Sequence, residues 1–484
     1  MKKIFLVAIA TACLFSSCYK DNNNYDQQDV NTLKIETDAE SYQVEQTKTL
    51  KIQPKLTSTI DGSAVYDFEW KLLSETEESV LSTAATLEEK IDAIPGKYTL
   101  LLTATDQKTK VRSYKTMALT VNSTLYNGYY VAYNRNGKGS LGFVRKDGEV
   151  FYDVEKGFSK IELQSKINKV YTTISKNLRL IFISTEDNIY RLHGDNLFAN
   201  GNSGNMFPSK ISVGTDFYAG MNYIPNSYPT DIFLINAGKP YANIGPDFGG
   251  SSSVYSDPLS YDQEYEMFPF VATTASYASL FYDNKGKKFL RMGYSTRNLL
   301  EMTSNAANQF DPSNVGKTVI AAIPGQGNEV YYVMKDPTNN KLSIYTIDQY
   351  IAAVAKGKQD IDLQQVPEFD KARYYSAVTD RPLLYYATEN KLYLYDLRTS
   401  TSKLVLQLSS DEKLADVQVH HKKVWESIEQ PEYNKQIVLA INKADKGEIR
   451  IHTVHADGTL EPTPLKAYAG FGQIADIDYR NPNN

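Results

Sequence analysis

The sequence predicts an all-β protein in which an N-terminal β-sandwich is followed by a seven-bladed β-propeller. The chain has 484 residues, more than the roughly 250–300 residues at which a single hydrophobic core stops growing, so we expect two domains. It contains 36 Tyr and 19 Phe, which pack well on pleated sheets. A four-strand pattern also recurs at a regular step over the C-terminal three-quarters of the chain.

The overall composition is that of a protein that folds in water. Hydrophobic residues make up 42% of the chain and charged residues 23%, which excludes wholesale disorder and a polytopic membrane protein. The 52 Lys and Arg are outnumbered by 57 Asp and Glu. A nucleic-acid-binding surface needs a basic excess, so we expect no nucleic-acid partner.

Residues 1–17 are predicted to be a lipoprotein signal peptide. Lys2 and Lys3 precede an apolar stretch, residues 4–12, which is too short to span about 30 Å of hydrocarbon. The sequence Leu-Phe-Ser-Ser-Cys that ends at Cys18 resembles the lipobox of bacterial lipoproteins. This resemblance implies that Cys18 is lipidated and becomes the mature N-terminus. The alternative is an ordinary signal peptide with an incidental cysteine.

Residues 18–31 are polar and are predicted to be a tether between the lipid and the folded protein. Cys13 lies in the discarded segment, so the mature chain keeps no thiol for a disulfide or a metal site. Each buried lipid CH₂ contributes about 0.8 kcal/mol, so two or three acyl chains would hold the protein at the membrane. Tyr19-Lys20-Asp21 resembles the export signal of Bacteroidetes lipoproteins, which implies an outer-membrane protein that faces the cell exterior.

Residues 32–122 are predicted to form the β-sandwich. Short alternating segments such as 49–53, 65–70 and 98–104 are separated by turn residues, as in immunoglobulin-like folds. Trp70 lies on a middle strand. We expect it to pack between the sheets rather than to stack on a ligand.

Residues 123–484 are predicted to form the propeller. Second strands of a repeated hairpin begin near residues 129, 179, 231, 279, 329, 383 and 436. The nearly constant number of residues between these strands favours radially stacked blades over two unrelated all-β domains. The hairpin at Tyr129 lacks a preceding strand, whereas residues 473–480 form an extra strand at the C-terminus. We therefore predict that this last strand completes the first blade.

Two segments interrupt the repeat. The spacing of the apolar residues in segment 346–358 predicts a short helix at a blade edge. Segment 241–268 carries a Gly-Gly-Ser-Ser-Ser run and predicts a long exposed loop.

The sequence lacks the common catalytic signatures. It contains no GxSxG, HExxH, Walker A, EF-hand or CxxC motif. Residues 137–142 satisfy GxGxxG, but they lie between two predicted strands, where a hairpin turn is expected. The five histidines show no spacing that favours joint zinc ligation. We predict no catalytic residue, no metal and no cofactor.

Tyrosine is the positive signal for binding, because its ring gives a large amphipathic contact surface at low entropic cost. Most tyrosines are expected to pack within the sheets. Five lie in predicted loops and are the candidate residues for contact with a ligand or partner: Tyr223, Tyr228, Tyr255, Tyr261 and Tyr265.

Pro95-Gly96-Lys97-Tyr98, followed by a strand and Asp106, resembles the signature of PKD-like immunoglobulin-type domains. Together with Cys18 and the segment Gly128-Tyr129-Tyr130-Val131, it gives the mature chain a resemblance to the PKD-like family surface lipoproteins of Bacteroidetes. Such lipoproteins are associated with SusC/SusD uptake systems, including those of the RagA/RagB type.

The resemblance implies a non-enzymatic accessory or binding subunit of a TonB-dependent nutrient uptake complex. Its implied partners are a SusC-like channel, a SusD-like lid lipoprotein and other surface lipoproteins. The implied ligand is an oligopeptide, ahead of a glycan. Two alternatives remain open at this stage: a surface hydrolase or lyase that acts on the same cargo, and a purely architectural subunit.

The anchor can be tested with a cysteine pair. Because the lipid attaches to the Cys18 thiol, Cys18→Ser is expected to move the protein from the membrane fraction to the soluble fraction. Ultracentrifugation of the cell lysate and mass spectrometry of the N-terminal peptide measure this. Cys13→Ser is the matched control and is expected to leave the protein lipidated. A Cys18→Ser protein that stays at the membrane would disprove the anchor.

Overall fold

The computed structural model describes residues 31–481 except 61, 63, 160, 176–177, 222–230, 244–253, 273–277, 294–297, 303–304, 351–352 and 424–427. Cys18, Tyr223 and Tyr228 lie outside the described residues. Strands dominate the described chain, and its helical elements are a π-helical turn at Glu155–Ser159 and a 3₁₀ turn at Phe369–Lys371. The prediction of an all-β protein is confirmed. The chain divides into two compact units, Met1–Asn122 and Ser123–Asn484.

The described part of the N-terminal unit contains nine strands in three sheets. The strands are β1 (Leu33–Glu36), β2 (Ser41–Glu45), β3 (Thr49–Ile52), β4 (Lys55–Ser58), β5 (Tyr66–Leu73), β6 (Glu78–Ser82), β7 (Leu87–Lys90), β8 (Gly96–Asp106) and β9 (Arg112–Asn122). A five-stranded sheet has the order β2-β9-β8-β5-β6, and the pairs β1-β4 and β3-β7 form two small sheets. The β2–β9 pair is parallel.

One hydrophobic core joins these three sheets. Alternate residues of β8, including Leu100 and Leu102, point into it, together with residues of β1, β3 and β7. Trp70 on β5 is fully buried there, and its indole N–H donates a hydrogen bond to the Ala84 carbonyl at 2.9 Å. The prediction that Trp70 packs between sheets is confirmed.

The described residues of the C-terminal unit form seven antiparallel sheets, which follow one another along the chain. Sheet 1 begins with β10 (Gly128–Arg135), β11 (Lys138–Arg145) and β12 (Val150–Phe151). Sheet 2 contains β13 (Ile167–Ser175), β14 (Leu178–Thr185), β15 (Ile189–His193) and β16 (Ala199–Asn202). Sheet 3 contains β17 (Phe217–Met221), β18 (Ile232–Asn236) and β19 (Lys239–Asn243), and sheet 4 contains β20 (Ala278–Asp283), β21 (Lys288–Gly293) and β22 (Leu299–Glu301).

The last three sheets have four strands each. Sheet 5 contains β23 (Thr318–Pro324), β24 (Glu329–Lys335), β25 (Leu342–Asp348) and β26 (Val354–Asp360). Sheet 6 contains β27 (Tyr374–Val378), β28 (Leu383–Ala387), β29 (Lys391–Asp396) and β30 (Thr401–Gln407). Sheet 7 contains β31 (Lys413–Val419), β32 (Gln436–Lys443), β33 (Lys446–Thr453) and β34 (Lys466–Phe471).

The final strand, β35 (Gln473–Arg480), returns to sheet 1 and pairs with β10. Val131 lies opposite Ile477 in this antiparallel register. The chain enters the sheet at Gly472, where a Cβ atom would lie 2.1 Å from the Asn134 carbonyl oxygen, so the close approach requires glycine there. The predicted pairing of the C-terminal strand with the first hairpin is confirmed.

The predicted helix at 346–358 is wrong. Residues in this segment belong to β25 and β26, which pair with each other. Ile347 and Ala355 are buried and oppose one another across the two strands. Pairing between these two strands satisfies backbone groups of residues 346–348 and 354–357, so the tertiary context overrides a short apolar periodicity.

The prediction of an exposed loop at 241–268 is confirmed only in part: residues 254–268 belong to no strand and eight of them are exposed, but other residues of the segment are buried. Tyr241 belongs to β19 and is buried, and Tyr255, Leu259 and Met267 are buried as well. Residues 244–253 of this segment lie outside the described residues.

Asparagine side chains join neighbouring sheets at three places. Each lies at or just after the end of β10, β20 or β32. Its side-chain amide donates a hydrogen bond to the backbone carbonyl of one residue in the next sheet and accepts one from the backbone N–H of the same residue. The pairs are Asn134 with Ile167 (3.0 and 2.8 Å), Asn284 with Val319 (3.1 and 2.8 Å) and Asn442 with Ile474 (2.8 and 2.8 Å). The amide thereby supplies backbone hydrogen-bond partners that no neighbouring strand provides on that side of the residue.

Removal of one such clamp is expected to destabilise the C-terminal unit. Asn442→Ala leaves the backbone N–H and carbonyl of Ile474 without this partner, which costs about 1–3 kcal/mol for a buried group. Urea unfolding with a probe in this unit measures the loss. The exposed Asn314 provides the control, since Asn314→Ala is expected to change the unfolding free energy by less than about 0.5 kcal/mol. Equal stability of the two variants would contradict the role of the clamp.

Candidate functional site

A cavity of about 530 Å³ lies in the C-terminal unit, and all seven sheets contribute to its lining. Representative lining residues, one from each sheet in order, are Asp476, Tyr171, Tyr218, Phe270, Ile320, Tyr374 and Asp416. In sheet 4 the lining comes from residues 268–270, which run beside β20 through a hydrogen bond from Phe268 N to Tyr282 O at 2.9 Å. Ligand sites in proteins commonly have this size and concavity.

The strands that line the cavity are the edge strands of their sheets, so their inner backbone groups need other partners. Side chains of the preceding inner strand supply acceptors at three successive places. These bonds run from Val419 N to Ser376 Oγ (2.9 Å), from Ile477 N to Asp416 Oδ2 (3.3 Å) and from Val170 N to Asp476 Oδ2 (2.9 Å). They link β27 to β31, β31 to β35 and β35 to β13. Polar residues in these strands therefore help to hold neighbouring sheets together.

Lys169, Asp416 and Asp476 form what we call the charged wall of the cavity. Lys169 Nζ lies 2.8 Å from Asp476 Oδ1. The Asp476 side chain is only 7% exposed, whereas the Lys169 side chain is 40% exposed. The Asp416 carboxylate accepts hydrogen bonds from Val417 N and Ile477 N. The two carboxylates therefore lie on neighbouring inner strands beside one ammonium group.

Burial controls the ionisation of this wall. Burial raises the pKa of Asp476 to about 7, with Lys169 opposing the shift and the charge of Asp416 adding to it. Burial likewise raises the pKa of Asp416. Burial alone would lower the pKa of Lys169, but the acidic groups around it, Asp476 first among them, together outweigh burial and raise that pKa. Since the two carboxyl groups interact, they lose their protons as a coupled pair.

A second ion pair, Lys423 with Asp478, lies further along the same strands. Lys423 Nζ is 3.1 Å from Asp478 Oδ1 and also donates to Thr172 Oγ1 and the Tyr479 carbonyl, both at 2.8 Å. Asp478 in turn accepts a bond from the Thr172 hydroxyl at 2.7 Å. These contacts fix Lys423 in place, so the positive charge is already balanced within the protein.

Tyr171, Tyr218 and Phe270 form the aromatic wall. The Tyr171 and Tyr218 rings lie 5.2 Å apart at 63°, and the Tyr218 and Phe270 rings lie 5.6 Å apart. The hydroxyls of Tyr171 and Tyr218 donate to the carbonyls of Phe217 and Val271, at 3.2 and 3.1 Å. Burial raises the pKa of both phenols, so they stay neutral. This wall offers an apolar surface beside the charged one.

Two histidines also line the cavity, and both favour the neutral form. His420 Nδ1 is hydrogen-bonded to the Tyr129 hydroxyl, and its ring stacks on Tyr433 at 5.1 Å. Burial lowers the pKa of His420 to about 3. His421 Nδ1 lies 3.0 Å from the Val419 carbonyl, and burial lowers its pKa as well. Within the described residues, no group of three or more His, Cys, Asp and Glu is placed to hold a metal ion.

The structure does not bring the described candidate tyrosines together at this cavity. Tyr255 is 2% exposed and stacks on Phe207 at 5.5 Å in the core of sheets 2 and 3. The expectation that Tyr255 presents its ring to a ligand is therefore wrong for this structure, because the ring has no accessible surface. Tyr261 is half-buried and donates to Glu301 Oε1 at 3.0 Å, and Tyr265 is half-buried and donates to the Leu259 carbonyl at 2.7 Å. A ligand-binding role for Tyr261 and Tyr265 stays a prediction.

The sequence contains a signal for the charged wall. Asp416 and Asp476 each follow an alanine and precede a β-branched residue, in Ala-Asp-Val and Ala-Asp-Ile. An acidic residue in the middle of an otherwise apolar strand is unusual and points to a buried polar role. Lys169 carries no such signal, because lysine is common at strand surfaces.

Comparison with known protein families finds a match in the N-terminal part of the chain. A sequence model of the PKD-like family matches residues 18–175, about a third of the chain. The predicted resemblance of the N-terminal region to PKD-like domains is confirmed. The match also runs past Asn122, through sheet 1 and to the end of β13. No curated protein matches the chain.

Solved structures resemble the chain only distantly. A quinonprotein alcohol dehydrogenase-like protein from Bacteroides thetaiotaomicron is 15% identical and covers 91% of this chain and 97% of its own, with a TM-score of 0.43. AztD from Citrobacter koseri is 11% identical and covers 84% and 100%, with a TM-score of 0.35. A putative 6-phosphogluconolactonase from Bacteroides uniformis is 11% identical and covers 85% and 99%, with a TM-score of 0.30. At these values the matches assign no activity.

The burial of Tyr255 leads to a stability prediction. Tyr255→Ala removes a large buried ring, which costs about 3–5 kcal/mol for an aromatic residue in a core. Thermal unfolding measures the effect. Tyr350 is 54% exposed, so Tyr350→Ala is the control and is expected to stay within about 0.5 kcal/mol of the unmodified protein. A Tyr255→Ala protein of unchanged stability would contradict the described packing.

Proposed function

We propose that this protein is a non-enzymatic binding subunit at the cell surface and that its central cavity is the binding site. The observation that supports this most strongly is the cavity itself, where an aromatic wall and a charged wall face a space of about 530 Å³. Binding sites typically combine a mostly apolar lining with a few placed polar groups. The carboxylates of Asp416 and Asp476 and the rings of Tyr171, Tyr218 and Phe270 provide both kinds of surface.

The proposal includes a closed seven-bladed propeller as the scaffold. Seven sheets among the described residues, the return of β35 to sheet 1 and the lining of one cavity by every sheet support this architecture. Closure would hold the lining residues rigidly, and side-chain hydrogen bonds already link β27 to β31, β31 to β35 and β35 to β13. Rigid positioning reduces the ordering cost of binding a ligand.

The proposal also includes the Cys18 lipid anchor and a place in a SusC/SusD-type uptake complex in the outer membrane. The lipobox-like sequence and the match to the PKD-like family support this part. Within the described residues, no helix has the length and apolarity to cross a bilayer. In this role the protein would capture an oligopeptide, or a glycan, close to a SusC-like channel and a SusD-like lipoprotein.

A second candidate function is hydrolysis of the captured cargo. The neighbouring carboxyl groups of Asp416 and Asp476 favour it, because burial raises the pKa of both, and a carboxyl group with a raised pKa can act as a general acid or base. However, both carboxylates already accept backbone hydrogen bonds that link inner strands. Binding therefore remains the first proposal.

The lipidated protein purified in detergent from its native membrane separates these functions. The binding proposal predicts co-purification of a channel and a lid lipoprotein, together with saturable binding of members of a peptide or glycan library that are recovered intact. Recovery of cleaved library members would establish the hydrolase instead. Absence of any bound library member would reject the cavity as a binding site.

Blocking the cavity provides a direct mutational test. Ile320 lies at a bulge in β23, lines the cavity and is 42% exposed. Ile320→Trp is expected to fill space inside the cavity and to weaken library binding at least tenfold, as measured by isothermal titration calorimetry. Leu300→Trp is the matched control, because Leu300 is 48% exposed on β22 and does not line the cavity. Equal binding by the two variants would show that the ligand binds elsewhere.

A further inference from the structure

The two carboxylates of the charged wall are imperfectly balanced. Both lie beside Lys169, which is the cation that acts on each of them most strongly. Removing two carboxylates from water beside a single ammonium leaves a negative charge to be neutralised. Burial accordingly raises the pKa of both carboxyl groups, which favours protonation of the pair and so offsets part of this charge.

The other charged and titratable groups around the pair come from four inner segments. They are Lys169 and Tyr171 on β13, Arg373 and Tyr374 at the start of β27, Asp478 on β35, and Lys423 after β31. Lys423 is held by Asp478 and by two further acceptors. The Tyr171 phenol is neutral because burial raises its pKa. The proton on the pair is thus the readily exchangeable positive charge at this wall.

A buried polar group near the same wall also lacks a partner. Thr173 lines the cavity, is 5% exposed, and its Oγ1 has no hydrogen-bond partner within the described residues. It lies two and four residues after Tyr171 and Lys169 on β13, so the three side chains share one side of the strand. Buried hydroxyls are normally hydrogen-bonded. An unpartnered hydroxyl at a cavity lining is consistent with a position that a ligand completes.

The aromatic wall reaches the charged wall through β13, which carries both Lys169 and Tyr171. A ligand on this strand therefore meets carboxylates on one side and the rings of Tyr171 and Tyr218 on the other. Aromatic faces attract cations as well as apolar groups. Both walls consequently favour the same kind of ligand, one with positive charge attached to an apolar body.

We infer that the cavity binds organic amines, with the ligand's ammonium group at Asp416 and Asp476 and its apolar or aromatic body against Tyr171, Tyr218 and Phe270. This inference rests on the proposed function of the cavity as a binding site and names the ligand's chemistry. The ammonium replaces the proton on the carboxyl pair. No bond other than O–H is broken, and the released proton goes to solvent.

Binding is therefore linked to proton release. The carboxyl pair must be ionised to receive the ammonium, so affinity is expected to increase as the pH rises through the pKa of Asp476, about 7. Below that pH, protonated carboxyls compete with the ligand, and affinity is expected to fall by up to about tenfold per pH unit for one linked proton. An amine with a pKa well above 8 remains charged throughout this range.

Phenethylamine is a suitable probe, with N-acetylphenethylamine as its neutral counterpart and 3-phenylpropionate as its anionic counterpart. Isothermal titration calorimetry of the lipidated protein at pH 6, 7 and 8, in two buffers of different ionisation enthalpy, measures affinity and the number of protons released. We expect phenethylamine to bind at least tenfold more tightly than either counterpart. We also expect tighter binding at pH 8 than at pH 6, and release of up to one proton at pH 7.

Asp416→Asn tests the carboxylate and keeps its size and an acceptor oxygen for Ile477 N. It is expected to weaken phenethylamine binding at least fivefold and to leave binding of the acetylated probe unchanged. Asp411→Asn is the matched control, because Asp411 forms a surface ion pair with Lys443 at 2.7 Å just before the same strand. If Asp416→Asn does not fold, the proton release of the unmodified protein decides the question.

The possible failures are distinguishable. Equal binding of phenethylamine and its acetylated form, or binding without proton release, would overturn the amine inference and leave the cavity as a binding site. Failure of all three probes to bind would also overturn it. The proposed function fails if no peptide or glycan binds in a manner that Ile320→Trp weakens, or if bound library members are recovered cleaved.

Discussion

The unpaired inner edge of each sheet is the constraint on which the C-terminal unit depends. A strand at the edge of a sheet exposes backbone groups that must find partners or remain in water. Here the groups that face the cavity receive side chains from the neighbouring inner strand. Asp476 bonds to Val170 N, Asp416 to Ile477 N and Ser376 to Val419 N. The side-chain amides of Asn134, Asn284 and Asn442 likewise accept hydrogen bonds from backbone N–H groups of the next sheet. Packing between sheets provides the stability, and these polar contacts fix the register of one sheet against the next.

This constraint also explains why the cavity is charged. A carboxylate that accepts a backbone hydrogen bond from a neighbouring strand at the cavity is largely withdrawn from water, and this burial opposes its ionisation. Asp416 and Asp476 occur on adjacent strands and therefore affect one another, while Lys169 balances part of their charge. The same groups that join β31, β35 and β13 thus form a site whose charge depends on protonation. A structural role and a binding role for these residues are physically compatible, because each carboxylate has two oxygens and several lone pairs.

Much of the architecture could be predicted because it is encoded in short-range patterns. Alternation along strands such as β8, the position of Trp70 and the surplus strand at residues 473–480 all led to correct expectations. The errors arose where a local pattern was ambiguous. Apolar residues in segment 346–358 fit a helix, but pairing between β25 and β26 determined the outcome. The sequence pattern predicted that Tyr255 is an accessible loop residue, but in the structure its ring packs on Phe207. A short segment does not carry the information about which distant strand or ring will cover it.

By itself, the sequence determined the all-β class, the PKD-like character of the N-terminal region and the return of the last strand to the first hairpin. The class and the return of the last strand depend on hydrophobic periodicity and strand counting, which are local properties summed along the chain. The PKD-like character rests instead on a family resemblance carried by a short motif, Pro95-Gly96-Lys97-Tyr98. Only the tertiary structure decided where the candidate site lies. Hundreds of residues separate Lys169 from the two aspartates, and tens of residues separate Asp416 from Asp476. No sequence motif links the three residues. They meet because neighbouring inner strands surround one cavity, and burial there, rather than residue type, sets their charge.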